Sequence, residues 1–139
     1  MKADFYYLTR TPLDRALPAI AERVRASGER LHIAADDAGL LDQLDALLWV
    51  YKPESFLPHG RSGDQPILLA PPGAALGYPN IAFVDGLWRD PPEGTVRVFY
   101  FFDAASLDAA RTAWRGLGEQ PVERRYWKQD ENGRWVEGP

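Results

Sequence analysis

The chain has no cysteine, two histidines and one methionine among its 139 residues. Without cysteine there are no disulfides, thiolate metal sites or cysteine nucleophiles, and the composition fits a cytoplasmic protein. No uninterrupted apolar run approaches the ~18 residues of a membrane-spanning helix. The opening MKADFYYL lacks an apolar stretch of signal-peptide length. An excess of positive charge is also missing. The net charge is −4 and the pI is near 5.1, which excludes general coating of nucleic acid and leaves only an indirect connection to it. Glycine-rich phosphate loops are absent: neither GxGxxG nor GxxxxGK followed by Ser or Thr occurs. The first expected strand-to-helix turn, Leu8-Thr9-Arg10-Thr11-Pro12, contains no glycine to bring backbone amides close to a pyrophosphate. No HxxxH spacing or His/carboxylate cluster argues for a metal, so no metal or cofactor is expected.

What is present is ordinary for a globular protein: 45% hydrophobic and 26% charged residues. The length predicts one domain over residues 1–139 with a single sizeable core. Phe5-Tyr6-Tyr7-Leu8 reads as a first strand. Thr11 reads as a cap with Pro12 at the first helical position, and Leu13, Leu17, Ile20 and Val24 then follow helical spacing to Ser27-Gly28. Pro18 inside that pattern predicts a kink or a later start. Arg30 to Ala34 is a second strand. Asp36 is expected to cap a helix from Asp37 to Val50, with Leu40, Leu41, Leu44, Leu47 and Leu48 as its apolar stripe. Residues 52–65 read as a loop. Ile67 to Leu69, Asn80 to Val84 and Val96 to Phe102 read as strands, and Ser106 to Leu117 as a helix. Val122 to Gln129 and Gly133 to Val136 pair as a hairpin across Asp130-Glu131-Asn132-Gly133. Strands alternating with three helices predict an α/β class: a mostly parallel, Rossmann-like sheet without a nucleotide motif, helices on both faces, and an antiparallel C-terminal hairpin.

The chemistry-bearing residues are few. Asp36-Asp37 after the second strand could hold Mg²⁺, but the third strand ends Leu68-Leu69-Ala70-Pro71 with no acceptor aspartate, so capping is the better reading. His32 reads as a strand residue. His59, in Pro58-His59-Gly60, could be a general base in a small α/β hydrolase-type enzyme, yet no nucleophile or orienting group stands at a recognisable spacing. Two segments look built to bind. Leu107 to Lys128 holds Arg111, Trp114 and Arg115 on one helix, then Arg124, Arg125, Tyr126, Trp127 and Lys128. It carries five basic residues against Asp108, Glu119 and Glu123 in an acidic chain. Cations beside indoles suit an anionic partner with an apolar part; the alternative is core tryptophans with a rim of solvated arginines. The second segment, Leu44 to Gly60, ends a helix in Trp49 and then presents Phe56, Leu57 and Pro58. These residues either form a hydrophobic docking patch or close the core under a loop.

These residues carry a family likeness. The chain resembles the chi subunit of bacterial DNA polymerase III holoenzyme over most of its length. The likeness rests on Phe5-Tyr6-Tyr7-Leu8, Leu44-Asp45 with Leu48-Trp49, Pro53-Glu54-Ser55-Phe56-Leu57-Pro58-His59, and Ala110-Arg111 with Trp114-Arg115. Tyr126-Trp127-Lys128-Gln129-Asp130 with Gly133-Arg134-Trp135 adds to it. The resemblance implies a non-catalytic accessory subunit of the replicative clamp loader. It implies two partners: the psi subunit, and the acidic C-terminal tail of single-stranded-DNA-binding protein, which ends in an apolar aromatic with a free carboxylate. By position, Trp49, Phe56, Leu57 and Pro58 are expected to contact psi. Arg111 is expected to meet the tail's carboxylate, with Trp114 as the aromatic, Arg115 as a second cation, and Arg124 and Lys128 as further candidates. An Arg fork suits a carboxylate and an indole suits a phenyl ring.

Overall fold

The structure is a computed structural model and describes residues 1–52, 57–74 and 77–138. In chain order the elements are β1 (Lys2–Tyr7), α1 (Leu13–Ala26), β2 (Leu31–Ala34), α2 (Ala38–Val50), β3 (His59–Gly60), β4 (Ile67–Ala70), β5 (Asn80–Phe83), β6 (Arg97–Phe102), α3 (Leu107–Leu117), β7 (Glu123–Gln129) and β8 (Trp135–Glu137). A short 3₁₀ turn, Ala104–Ser106, leads into α3. The strands form one sheet in the order β3-β4-β2-β5-β6-β1-β7-β8, parallel throughout except for the β7–β8 hairpin.

Helices cover both faces, as the alternation of elements predicts. On one face α1 and α2 bury Leu17, Ile20, Leu41 and Leu48 against Ile33, Leu69 and Phe101. On the other, α3 buries only Ala110 and Leu117 against Phe5, Phe83, Tyr100 and Phe102. Each such large apolar side chain contributes about 1.5–3 kcal/mol. The thin apolar stripe of α3 leaves part of its sheet face uncovered.

Several local expectations are corrected. The cap of α2 is Asp37, not Asp36: its Oδ1 accepts from the amides of Gly39 at 2.8 Å and Leu40 at 3.4 Å. Asp36 instead pairs with Arg89. Pro12 occupies the N-cap position of α1 and gives no side-chain cap. Thr11 is not the cap either; its hydroxyl accepts from Gln129 Nε2 at 2.6 Å. Gln129 Oε1 accepts from the amides of Arg10 and Thr11, both at 2.9 Å, so a residue of β7 satisfies the turn before α1. Pro18 does not delay α1, which starts at Leu13 and runs through it. The expected loop at 52–65 contains the edge strand β3, and β8 begins at Trp135 rather than Gly133.

On the interior strand β1, between β6 and β7, Asp4 is fully buried. Arg97 on one flanking strand meets it at 2.7 Å and Arg125 on the other at 2.9 Å. The Trp127 indole N–H donates to Asp4 Oδ1 at 3.0 Å. A buried carboxylate is tolerable only with its charge paired and its lone pairs satisfied. This cluster ties β6, β1 and β7 together.

Candidate functional site

The uncovered part of the α3 face is a cleft of about 300 Å³. That lies at the lower end of the ~300–1,000 Å³ range of small-ligand pockets. Its floor comes from three adjacent strands. Phe5 of β1 stands opposite Tyr126 of β7, and Tyr7 stands opposite Phe102 of β6. Alternate residues of a strand share a face, so this register puts four rings on one floor. The wall is α3, through Leu107, Ala110, Arg111, Trp114 and Arg115. These lie at i, i+3, i+4, i+7 and i+8, the stripe that one side of a helix presents. Ala110, with its small side chain, keeps the helix close to the sheet without filling the cleft.

Trp114 is half-buried and held on two sides. Its ring meets Phe5 edge-on, with centroids 5.2 Å apart. The Arg124 guanidinium lies 4.4 Å from the ring centre, and Arg124 Nη1 donates to the Trp114 carbonyl oxygen. That carbonyl belongs to the last turn of α3, where a cation is favourable. Gly118 makes room for this: a Cβ there would sit 3.2 Å from both terminal nitrogens of Arg124.

The charges at the cleft are positive. Arg111 is exposed, and the one acid it meets among the described residues, Asp108, is 3.9 Å away and fully exposed, a weak pairing. Arg115 is exposed and has no carboxylate partner among the described residues. Burial raises the Tyr126 hydroxyl above its ordinary value; Tyr7 adds to the rise and Arg111 opposes it. The Tyr126 hydroxyl is therefore a neutral donor at pH 7, in the same electrostatic neighbourhood as Arg111.

The structure thus brings together Arg111, Trp114 and Arg115 of the expected tail-binding set. Arg124 supports Trp114 from outside the cleft lining, and Lys128 is an exposed β7 residue that does not line it. Arg125 and Trp127 point to the other face, with Asp4, so the basic segment divides between the two sides of the sheet. Sequence reasoning missed Phe5, Tyr7 and Phe102 as site residues. The signal for them was alternation in two strong strands, which gave the face but not its neighbour.

The second expected surface is mixed. Trp49 is 57% exposed and Val50 74% exposed at the end of α2. The Trp49 ring lies 4.6 Å from the His59 ring, and Pro58 is half-buried. Leu57 is a correction: it is 4% exposed and belongs to the core beneath α2, so it does not present itself to a partner. Phe56 lies outside the described residues.

His59 is buried, and both ring nitrogens face backbone carbonyls, of Leu57 and Asp45. Nε2 also lies 3.5 Å from Asp45 Oδ1, but the His59 side chain has no solvent-exposed surface, so a substrate has no access to the ring and the geometry gives the hydrolase alternative no support. His32 Nε2 faces Ala70 O at 3.0 Å, and burial holds its pKa below the usual value. Arg89 bridges Asp36 and Asp85 at 2.7 and 2.6 Å, beyond the ends of β2 and β5. Of the pair considered for Mg²⁺, Asp36 is therefore paired with Arg89 and Asp37 caps α2. Among the described residues no three His, Asp or Glu side chains gather around a metal position, and no helix is long and apolar enough to cross a membrane.

Residues 1–124 match a family model described as DNA polymerase III chi subunit, HolC. No curated protein matches the chain.

Proposed function

The chain belongs to the DNA polymerase III chi subunit family, and on that premise we propose that it serves the replicative clamp loader as an adaptor with two docking sites. The α3 cleft takes the acidic C-terminal tail of single-stranded-DNA-binding protein. The tail's last ring enters between Trp114 and the floor, and its terminal carboxylate meets Arg111, with Arg115 as the second cation. The surface around Trp49 and Pro58 takes the psi subunit. The protein turns over no substrate in this reading and meets nucleic acid only through its partners.

The observation that carries the reading is the placement of Arg111, Arg115 and Trp114 over one aromatic-floored cleft. A site for an acidic peptide with an aromatic end needs that combination: a pocket for the ring and a fork for the carboxylate. α2 and α3 pack on opposite faces of the sheet, so a partner at Trp49 leaves the cleft open. Titration with an acidic peptide ending in a free phenylalanine is the test. Saturable binding that is lost on amidating the terminus is expected. Equal binding of both forms, or binding unchanged by Trp114→Ala, would overturn the assignment.

A further inference from the structure

A second cleft, of about 180 Å³, lies on the opposite face of the sheet between α1 and the β7–β8 hairpin. Its floor is Tyr6 and Phe101. Trp127 and Trp135 form one wall, Trp127 stacked on Tyr6 (6.3 Å, 12°) and Trp135 edge-on to it (5.3 Å, 86°). The other wall is α1, where Arg15, Ala19 and Arg23 are exposed and line the cleft. Their i, i+4, i+8 spacing sets them in a row, with Ala19 as a notch between two guanidiniums.

The charges here are not spent within the protein. Among the described residues, neither Arg15 nor Arg23 meets a carboxylate. Nearby Arg97 and Arg125 are committed to Asp4, and Glu137 adds to the negative field at Arg125. Past Ile20 and Arg23 the cleft opens into a wider depression of about 450 Å³ that reaches Lys2 and Arg97. The acid at that end, Glu29, accepts from Asn80 Nδ2 at 2.7 Å.

We propose that this cleft binds an acidic peptide segment carrying one bulky apolar side chain midway between two carboxylates. Eight helical residues separate Arg15 from Arg23, about 12 Å along the axis. An extended peptide advances ~3.3 Å per residue, so its two acids stand about four residues apart. The apolar side chain between them enters at Ala19 and packs on Trp127, Trp135 and Tyr6. Because the paired acids are side chains, no terminal carboxylate is needed, unlike at the Trp114 cleft. A nucleic-acid strand is the poorer occupant: two unpaired cations offer few phosphate contacts, and the chain's net charge of −4 opposes it.

The test uses the full chain and a fluorescein-labelled heptapeptide, amidated at its C-terminus, with glutamates at its second and sixth positions and leucine between them. Saturable anisotropy is expected for the unmodified protein. Ala19→Glu, at an exposed position, fills the notch and repels the acids. It should weaken binding at least roughly tenfold, as should the double change Arg15→Ala/Arg23→Ala, the scale of one charge-assisted hydrogen bond. Arg111→Ala should leave this binding within about twofold, because it acts at the other cleft. Melting curves matching the unmodified protein show that the variants fold. No saturable binding, unchanged binding by Ala19→Glu, or displacement of the peptide by a single-stranded oligonucleotide at lower concentration would each overturn the proposal.

Discussion

The Arg124 guanidinium lies 4.4 Å from the centre of the Trp114 ring and bonds the carbonyl of the same residue. One side chain of β7 therefore fixes both the indole plane and the end of α3. Arg124→Ala should lower stability by about 1–2 kcal/mol, the sum of a cation–π contact and a hydrogen bond to backbone, read from urea denaturation. It should also weaken tail-peptide binding, but less than Trp114→Ala does. The double variant should lose little more than Trp114→Ala alone, because both changes act through one ring. Additive losses in binding would show that Arg124 contacts the peptide itself.

Arg111→Ala should weaken binding of the acidic, phenylalanine-ended peptide by roughly 1.5–3 kcal/mol. Amidating the peptide should cost the unmodified protein a similar amount, and the two losses should be far from additive. Trp114→Ala should weaken binding with less dependence on salt, because it removes apolar wall rather than charge. Isothermal titration at two salt concentrations separates the cases. Full additivity of Arg111→Ala and amidation would move the carboxylate to Arg115.

Asp4 sets a pH dependence of stability. Burial raises its pKa, but the hydrogen bonds from Trp127 and Arg97, the charge of Arg97 and the bond from Arg125 outweigh that and hold it below 3.8. A carboxyl depressed in the folded state contributes stability that is full well above pH 3.8 and is lost as the pH falls past 3.8 towards the lower folded value. Asp4→Asn should cost about 3 kcal/mol near neutrality, the low end for breaking a buried pair, since both guanidiniums reach solvent. The gap between the two proteins in urea midpoint should narrow as the pH drops below 3.8. A gap independent of pH would show that the carboxylate's charge is not what holds the strands.

Trp49 and Leu57 should separate docking from folding. Trp49→Ala removes an indole that is 57% exposed, so the fold should change by well under the cost of a core truncation while psi binding falls. Leu57→Ala opens the core under α2 and should cost about 2–5 kcal/mol of stability. Pull-down with psi and thermal melting of each variant are the measurements. Full psi binding by Trp49→Ala would remove this surface from the interface.

The α/β class, the order of the main elements and the helix carrying Arg111, Trp114 and Arg115 follow from the sequence alone. Hydrophobic spacing of 2 and of 3–4 residues is a local property, and a helix puts i, i+3 and i+4 on one side wherever it sits. The family follows from the sequence too, through residue patterns such as Leu44-Asp45 with Leu48-Trp49. The tertiary structure decided what those residues face. Only the register of β1 between β6 and β7 places Phe5, Tyr7, Phe102 and Tyr126 on one floor, and separates Arg124 from its neighbour Arg125. Only the path of the chain buries Leu57, lets Gln129 serve the turn before α1, and turns Asp36 to Arg89 instead of to its helix. These pairings join residues far apart in the chain, and their energies depend on burial and on partners that no local window contains.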